Sequence, residues 1–127
     1  MTDFSFELTG EVVPKKNSRI FNTKTKHSFV SAKYREWFVC AKTQIEYQLT
    51  KAKLKGPFDY VSKLTVTFEH DSLRRRDPDN QLSSVLDLLR DCGIIEDDNW
   101  RVLPHIEVRS VYNKAHAGCT INIDTVG

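Results

Sequence analysis

The sequence predicts an α/β (α+β) fold: a single domain with a mixed β-sheet and two helices packed on one face of it. Three observations predict this. The chain has 127 residues, enough for one domain with a real core and too few for two. Apolar residues alternate with polar ones in several separated stretches, the period of half-buried strands. Two other stretches change to spacings of three and four, the period of amphipathic helices.

Phe4, Phe6, Leu8 and Val12 open the chain at roughly every second position, which predicts an N-terminal strand. Beyond Pro14, the segments Arg19-Ile20-Phe21 and Ser28-Phe29-Val30 flank a polar stretch, Asn22 to Lys26, and together read as a short hairpin. Ser31 is a suitable N-cap for a helix carrying Tyr34, Trp37, Phe38, Ala41, Ile45 and Leu49, which Gly56-Pro57 would stop. Leu64, Val66 and Phe68 alternate with polar residues, predicting a strand from about Tyr60 to His70. Leu82, Val85, Leu86 and Leu89 resume helical spacing, and Gly93 stands where a left-handed C-terminal cap belongs. Residues around Ile106–Arg109 and Cys119–Ile123 alternate again, as two closing strands. The order after the first strand is therefore hairpin, α, β, α, β, β over one domain, residues 1–127, without repeats or low-complexity tracts.

Charge is segregated. The net charge is only +2. Residues 14–55, however, hold eleven Lys/Arg against Glu36 and Glu46, a local +9, whereas residues 77–98 hold seven acids against Arg90, a local −6. Such a division suits a polyanion on one surface and a metal at another, although solvated helix faces give the same pattern. No apolar run is long enough to span a bilayer, and the alternating N-terminus does not resemble a targeting peptide, so a cytoplasmic protein is expected. Cys40, Cys92 and Cys119 lack zinc-ligand spacing and read as reduced, mostly buried thiols.

The acidic segment carries the chemistry. Asp77 and Asp79 stand at a strand-to-helix junction, and Asp97 and Asp98 follow the same helix. Gathered carboxylates repel one another unless a cation neutralises them, and an all-oxygen set suits a hard ion such as Mg²⁺, with Mn²⁺ as a substitute. Such an ion polarises a phosphodiester and activates water. Helix capping is the other reading of Asp77 and Asp79, and an ordinary turn that of Asp97-Asp98. A calcium loop fails, because Leu82 and Leu88 occupy the positions that need Gly and Glu. Arg74, Arg75 and Arg76 are placed to hold DNA phosphates, or else to pair with the acids; Lys15, Lys16 and Arg19 are further candidates for DNA binding. His70 and His105 read as structural or solvated, Trp37 and Phe38 as core or dimer contacts, and Phe21 or Phe29 as weak candidates for a junction wedge.

The string Arg75-Arg76-Asp77-Pro78-Asp79-Asn80, a helix with Asp87-Leu88-Leu89, and then Gly93-Ile94-Ile95-Glu96-Asp97-Asp98 resembles the RusA family of endodeoxyribonucleases. The resemblance implies a homodimer that resolves Holliday (four-way) junctions by paired symmetric nicks with Mg²⁺, in DNA recombination and repair in a bacterial or phage setting. It carries the catalytic, metal-binding role to Asp77, Asp79 and Asp98, with Asp97 accessory and Asn80 supporting the site or capping the helix. One position departs from the family pattern: Ser83 stands where a lysine is usual. A catalytically weak or inactive DNA-binding relative is therefore the alternative, unless Arg76, Lys15 or Lys16 supplies the missing charge.

Overall fold

The computed structural model describes residues 3–15, 19–22, 27–54 and 56–125. The elements run β1 (Phe4–Thr9), β2 (Arg19–Asn22), β3 (His27–Val30), α1 (Ala32–Ala52), β4 (Lys63–His70), α2 (Pro78–Asp91), β5 (Ile106–Tyr112) and β6 (Gly118–Asp124). This is the predicted order. The tip of the hairpin formed by β2 and β3, at residues 23–26, and Lys16 lie outside the described residues. Phe21 and Phe29 fall on the paired backbones of β2 and β3.

The alternating segments make one sheet of order β1-β6-β4-β5, antiparallel except for the parallel pair β4–β5. Register explains the core. Phe6 stands opposite Ile121 and Leu8 opposite Cys119, while Val66 and Phe68 of β4 face the same two β6 residues from the other side. Opposed residues point to the same face, so these side chains form one apolar surface, which packs with Ala41 and Ile45 of α1 and Val85, Leu88 and Leu89 of α2 in a single cluster. The reverse face carries Ser5, Thr65, Thr67, Thr120 and Asn122, with Ser5 Oγ donating to Asn122 Oδ1 at 2.8 Å. The sheet is mixed because a helical crossover, α2, joins the parallel strands. β5 and β6, consecutive in the chain, lie on opposite sides of β4; the connection between them caps its end, with Asn113 N–H donating to the His70 carbonyl at 2.7 Å.

Helix ends follow local chemistry. Ser31 Oγ accepts from Tyr34 N–H at 3.2 Å, so the predicted N-cap is in place. α1 ends at Ala52, short of Gly56-Pro57, because Lys53 turns left-handed (φ 55°) and the Leu54 N–H closes back on the Leu49 carbonyl at 3.2 Å. β4 begins at Lys63, later than Tyr60, since Val61 N–H is taken by the Val102 carbonyl before the ladder starts. α2 begins earlier than its apolar periodicity, with Pro78 in its first turn. At its other end Gly93 has φ +71°; the Gly93 N–H donates to Arg90 and the Ile94 N–H to Leu89, each at 3.0 Å. That pair of bonds is a Schellman cap. Trp37 and Phe38 are partly buried against the core.

Ile94 and Ile95 then plunge into the core, 0% and 1% exposed. They dock on the segment after α1, where Phe58 N–H donates to the Ile94 carbonyl at 2.8 Å and Glu96 N–H to the Phe58 carbonyl at 2.9 Å. A Cβ on Gly56 would lie 2.4 Å from the Gly93 carbonyl oxygen. Backbone there cannot yield without undoing the helix cap. Gly56→Ala is expected to destabilise the protein by about 1–3 kcal/mol, measured as a fall in Tm with the cooperative transition preserved.

All three cysteines are free; Cys119 is buried, Cys92 is half-buried and Cys40, contrary to the expectation of mostly buried thiols, is exposed on α1. Burial pushes the Cys92 thiol up to about 11 and that of Cys119 up to about 12. Among the described residues, no helix is long and apolar enough to cross a membrane.

Candidate functional site

Parallel strands joined by a helix leave a loop at the carboxyl end of the first, the place where open α/β sheets present functional groups. Here β4 ends at His70 and the loop carries Arg74, Arg75, Arg76 and Asp77 into α2. Asp77 has N-cap backbone geometry (φ −103°, ψ 108°), yet its carboxylate makes no cap hydrogen bond. Capping is therefore not what occupies this side chain. It is half-exposed, 3.9 Å from Arg75 Nε, and Asp79 stands exposed in the same first turn.

Asp97 and Asp98 lie at the other end of α2. The guanidinium of Arg90, in the last turn, is 3.6 Å from Asp97 Oδ1, 3.7 Å from Asp98 Oδ1 and 3.2 Å from Asp87 Oδ1. Eleven positions separate Asp79 from Arg90, a rise of about 16 Å along the helix. The return loop thus brings Asp97 and Asp98 beside Asp87 and Arg90 rather than beside Asp77 and Asp79. Asp97 also organises its own turn, accepting from Asp98 N–H at 2.8 Å and from Asn99 Nδ2 at 3.2 Å. Those bonds, the Asp98 N–H foremost, hold its carboxyl below the ordinary range.

The three arginines part company. Arg75 is 93% exposed in its side chain, whereas that of Arg76 is 10% exposed and turned inward onto Glu11, Nε to Oε1 2.7 Å. Arg74 is exposed. His70, 9% exposed, approaches Glu11 through Nδ1 at 2.9 Å. His105 lies at the opposite end of the parallel pair, just before β5, and faces Glu107 at 3.4 Å. Glu11, Gln81 and Ser84 escaped the sequence reading. The signal available was polar residues at core-facing positions of the α2 pattern: Gln81 and Ser84 fall in helical register with Val85, Leu88 and Leu89.

Lys15 is tied to α2 by its backbone, donating to Ser84 Oγ at 3.0 Å, and by Nζ, 3.2 Å from Asp87 Oδ2. It stands about one turn beyond Ser83, on the same side of the helix as Asp87. Arg19 sits on β2. Beside Lys15 a groove of about 630 Å³ runs between α1 and α2, lined by Tyr34, Arg35, Val39, Asp87 and Arg90 among others. Burial, then Asp87 and Asp91, push the Tyr34 phenol up to about 12. With the folded value above the unfolded 10.0, the neutral ring stabilises the fold below pH 10, and that contribution is lost as pH rises through 12. A phenolate absorbance titration is expected to show a late step near 12. Tyr34→Phe removes it.

The donor set is all carboxylate, which suits a hard divalent ion. Among the described residues, however, no group of three or more His, Cys, Asp or Glu is close enough to hold a metal ion. A two-carboxylate site completed by water and substrate phosphate remains within the demands of Mg²⁺. The pair Asp77 and Asp79 meets that requirement in chemistry and exposure. Set against known proteins, residues 9–124 match the family model for endodeoxyribonuclease RusA. No curated protein matches the chain.

Proposed function

Given that the chain belongs to the RusA family of endodeoxyribonucleases, matched over residues 9–124, we propose that it is a Mg²⁺-dependent, homodimeric resolvase that cuts four-way DNA junctions by paired symmetric nicks. Family membership supplies the coarser part: these nucleases bind DNA junctions and depend on a divalent metal. The observation that carries the finer part is the Asp77 carboxylate, exposed at a helix N-terminus and not spent on capping, with exposed Asp79 in the same turn.

In this reading Asp77 and Asp79 hold the ion, Mg²⁺ or Mn²⁺ in its place. Asp98, with Asp97 accessory, is the third carboxylate of this reading and reaches them by a shift of the whole return loop or from a second subunit, since it rests on Arg90 at the far end of α2. Once bound, the ion supplies Lewis acidity toward the scissile phosphate and a lowered pKa for the attacking water. Arg74 and Arg75, exposed beside the carboxylates, take the flanking phosphates, and Lys15, Lys16 and Arg19 are further candidates for phosphate contacts. A junction with two-fold symmetry needs two cuts, hence two subunits. Val108, Val111 and Tyr112, exposed on the edge strand β5, offer apolar surface for the second copy. The setting is the cytoplasm of a bacterial host, where recombination intermediates form.

Ser83 supports a second reading, a DNA-binding relative with weak or no turnover. Lys15 does not stand at Ser83 but a turn beyond it, engaged with Asp87. A cleavage assay decides between the two, using a mobile four-way junction beside linear duplex over a Mg²⁺ and Mn²⁺ titration. Metal-dependent paired nicking of the junction alone is the expected result. Binding without cutting at any metal concentration would establish the second reading.

A further inference from the structure

The return loop after α2 ends in a turn whose backbone is fastened at nearly every step. Asn99 Oδ1 accepts from the Arg101 N–H at 2.9 Å and the Val102 N–H at 3.3 Å, and the Asn99 carbonyl accepts from the Leu103 N–H at 2.9 Å. Val102 and Leu103 are buried in the core and anchor the turn from behind. Trp100 lies between these fixed points and is 75% exposed. The anchoring is done by other residues, so packing gives no account of an indole at this position.

A lone exposed apolar side chain is ordinary, but three features set this one apart. The Arg101 guanidinium carbon lies 5.8 Å from the ring centroid, within cation–π range. The flanking side chains of the turn, Asp98, Asn99 and Arg101, are exposed and polar, whereas the centre of a protein interface is apolar and poor in charge. The ring is also two residues from Asp98 in the sequence, so whatever brings that carboxylate to the metal brings Trp100 with it. A flat ring with a guanidinium beside it fits one nucleobase, which offers a π-face to the indole and acceptors to the arginine. Such a base must already be out of its stack or cheap to unstack. The branch point of a four-way junction supplies one, and continuous duplex does not. We propose that Trp100, with Arg101, is a base-stacking site for an unstacked base at the branch point, and that it adds to the preference for branched over linear DNA. The inference rests on the reading of the chain as a junction nuclease with Asp98 among its carboxylates.

The chain has two tryptophans, and Trp37 is partly buried against the core, so Trp37→Phe leaves Trp100 as the sole indole reporter. In that background its emission is measured while a synthetic four-way junction, or a linear duplex of the same length, is titrated in without divalent metal. Affinity for both DNAs is then measured over a range of salt for Trp100→Phe, Trp100→Leu and Trp100→Ala in the wild-type background. The junction is expected to quench Trp100 strongly and the duplex little. Trp100→Ala and Trp100→Leu are expected to lose about tenfold in junction affinity, while Trp100→Phe, which keeps a π-face, loses less than about threefold. The salt slope is unchanged, because no phosphate contact is removed. Duplex affinity and Tm change little. Junction affinity of Trp100→Ala within about twofold of wild type overturns the proposal, as does an equal loss on duplex. Trp100→Leu binding as well as Trp100→Phe would make the contact apolar burial and not stacking, which also overturns it. Dissociation of a dimer by Trp100→Ala, seen by sedimentation, would assign the ring to a contact between copies instead. The nuclease reading fails separately: wild-type protein that cuts no junction at any Mg²⁺ or Mn²⁺ concentration refutes it, and the metal-free quenching and affinities still decide whether Trp100 takes a base.

Discussion

Asp79→Asn is expected to lower junction cleavage by about 10³-fold or more, because a metal ligand contributes several kcal/mol of transition-state stabilisation. DNA binding should survive and tighten slightly. The substitution leaves the exposed Arg74 and Arg75 in place and removes one negative charge from the first turn of α2. Side-chain volume is conserved and the position is exposed, so Tm is expected to change little. The informative measurement is single-turnover cleavage beside a binding isotherm at matched salt. Undiminished cleavage would remove Asp79 from the site, whereas lost binding with intact residual turnover would make it a contact to DNA instead. Asp77→Asn should behave alike, since its carboxylate also makes no cap bond.

Phe68→Ala is expected to cost about 3–5 kcal/mol. Phe68 is 0% exposed on β4, flanked by Cys119 of β6 on one side and Ser110 of β5 on the other. Its neighbours along the sheet are held in ladders on both sides, so the strands cannot close on the vacated space and a cavity is expected to remain. Set against a total stability of about 5–15 kcal/mol for a domain of ordinary size, the loss is large enough to populate unfolded protein near physiological temperature. Urea unfolding with an unchanged m-value and a lower midpoint is the expected record. A loss under about 1 kcal/mol would mean that the sheet centre repacks.

Much of the fold was legible in the residues because strand and helix periods are local. Leu64, Val66 and Phe68 announce a strand whose one face is buried; Ser31 and Gly93 mark helix ends through chemistry that acts over three or four residues. Which strands pair, and that β4 and β5 run parallel, was not legible, since pairing joins residues with no common local pattern. The acids show the same division. Asp77 and Asp79 were visible as a motif, yet only the backbone geometry shows that the Asp77 side chain leaves the cap unmade. Asp98 was visible as well, but its neighbour is Arg90, because the Schellman turn and the burial of Ile94 and Ile95 steer the loop to the helix's far end.

By itself, then, the sequence determined the number and kind of the elements, their order, the family signature and the carboxylates that carry it, all properties of short spans. The tertiary structure alone decided that Arg76 turns inward, that Glu11 meets His70, Arg76 and Gln81, and that Lys15 rests on Asp87. The physical reason is that a charged side chain's role is set by which groups replace its water. Those groups come from β1's exit, β4's end and α2's first turns, which only the closed sheet brings within hydrogen-bond distance.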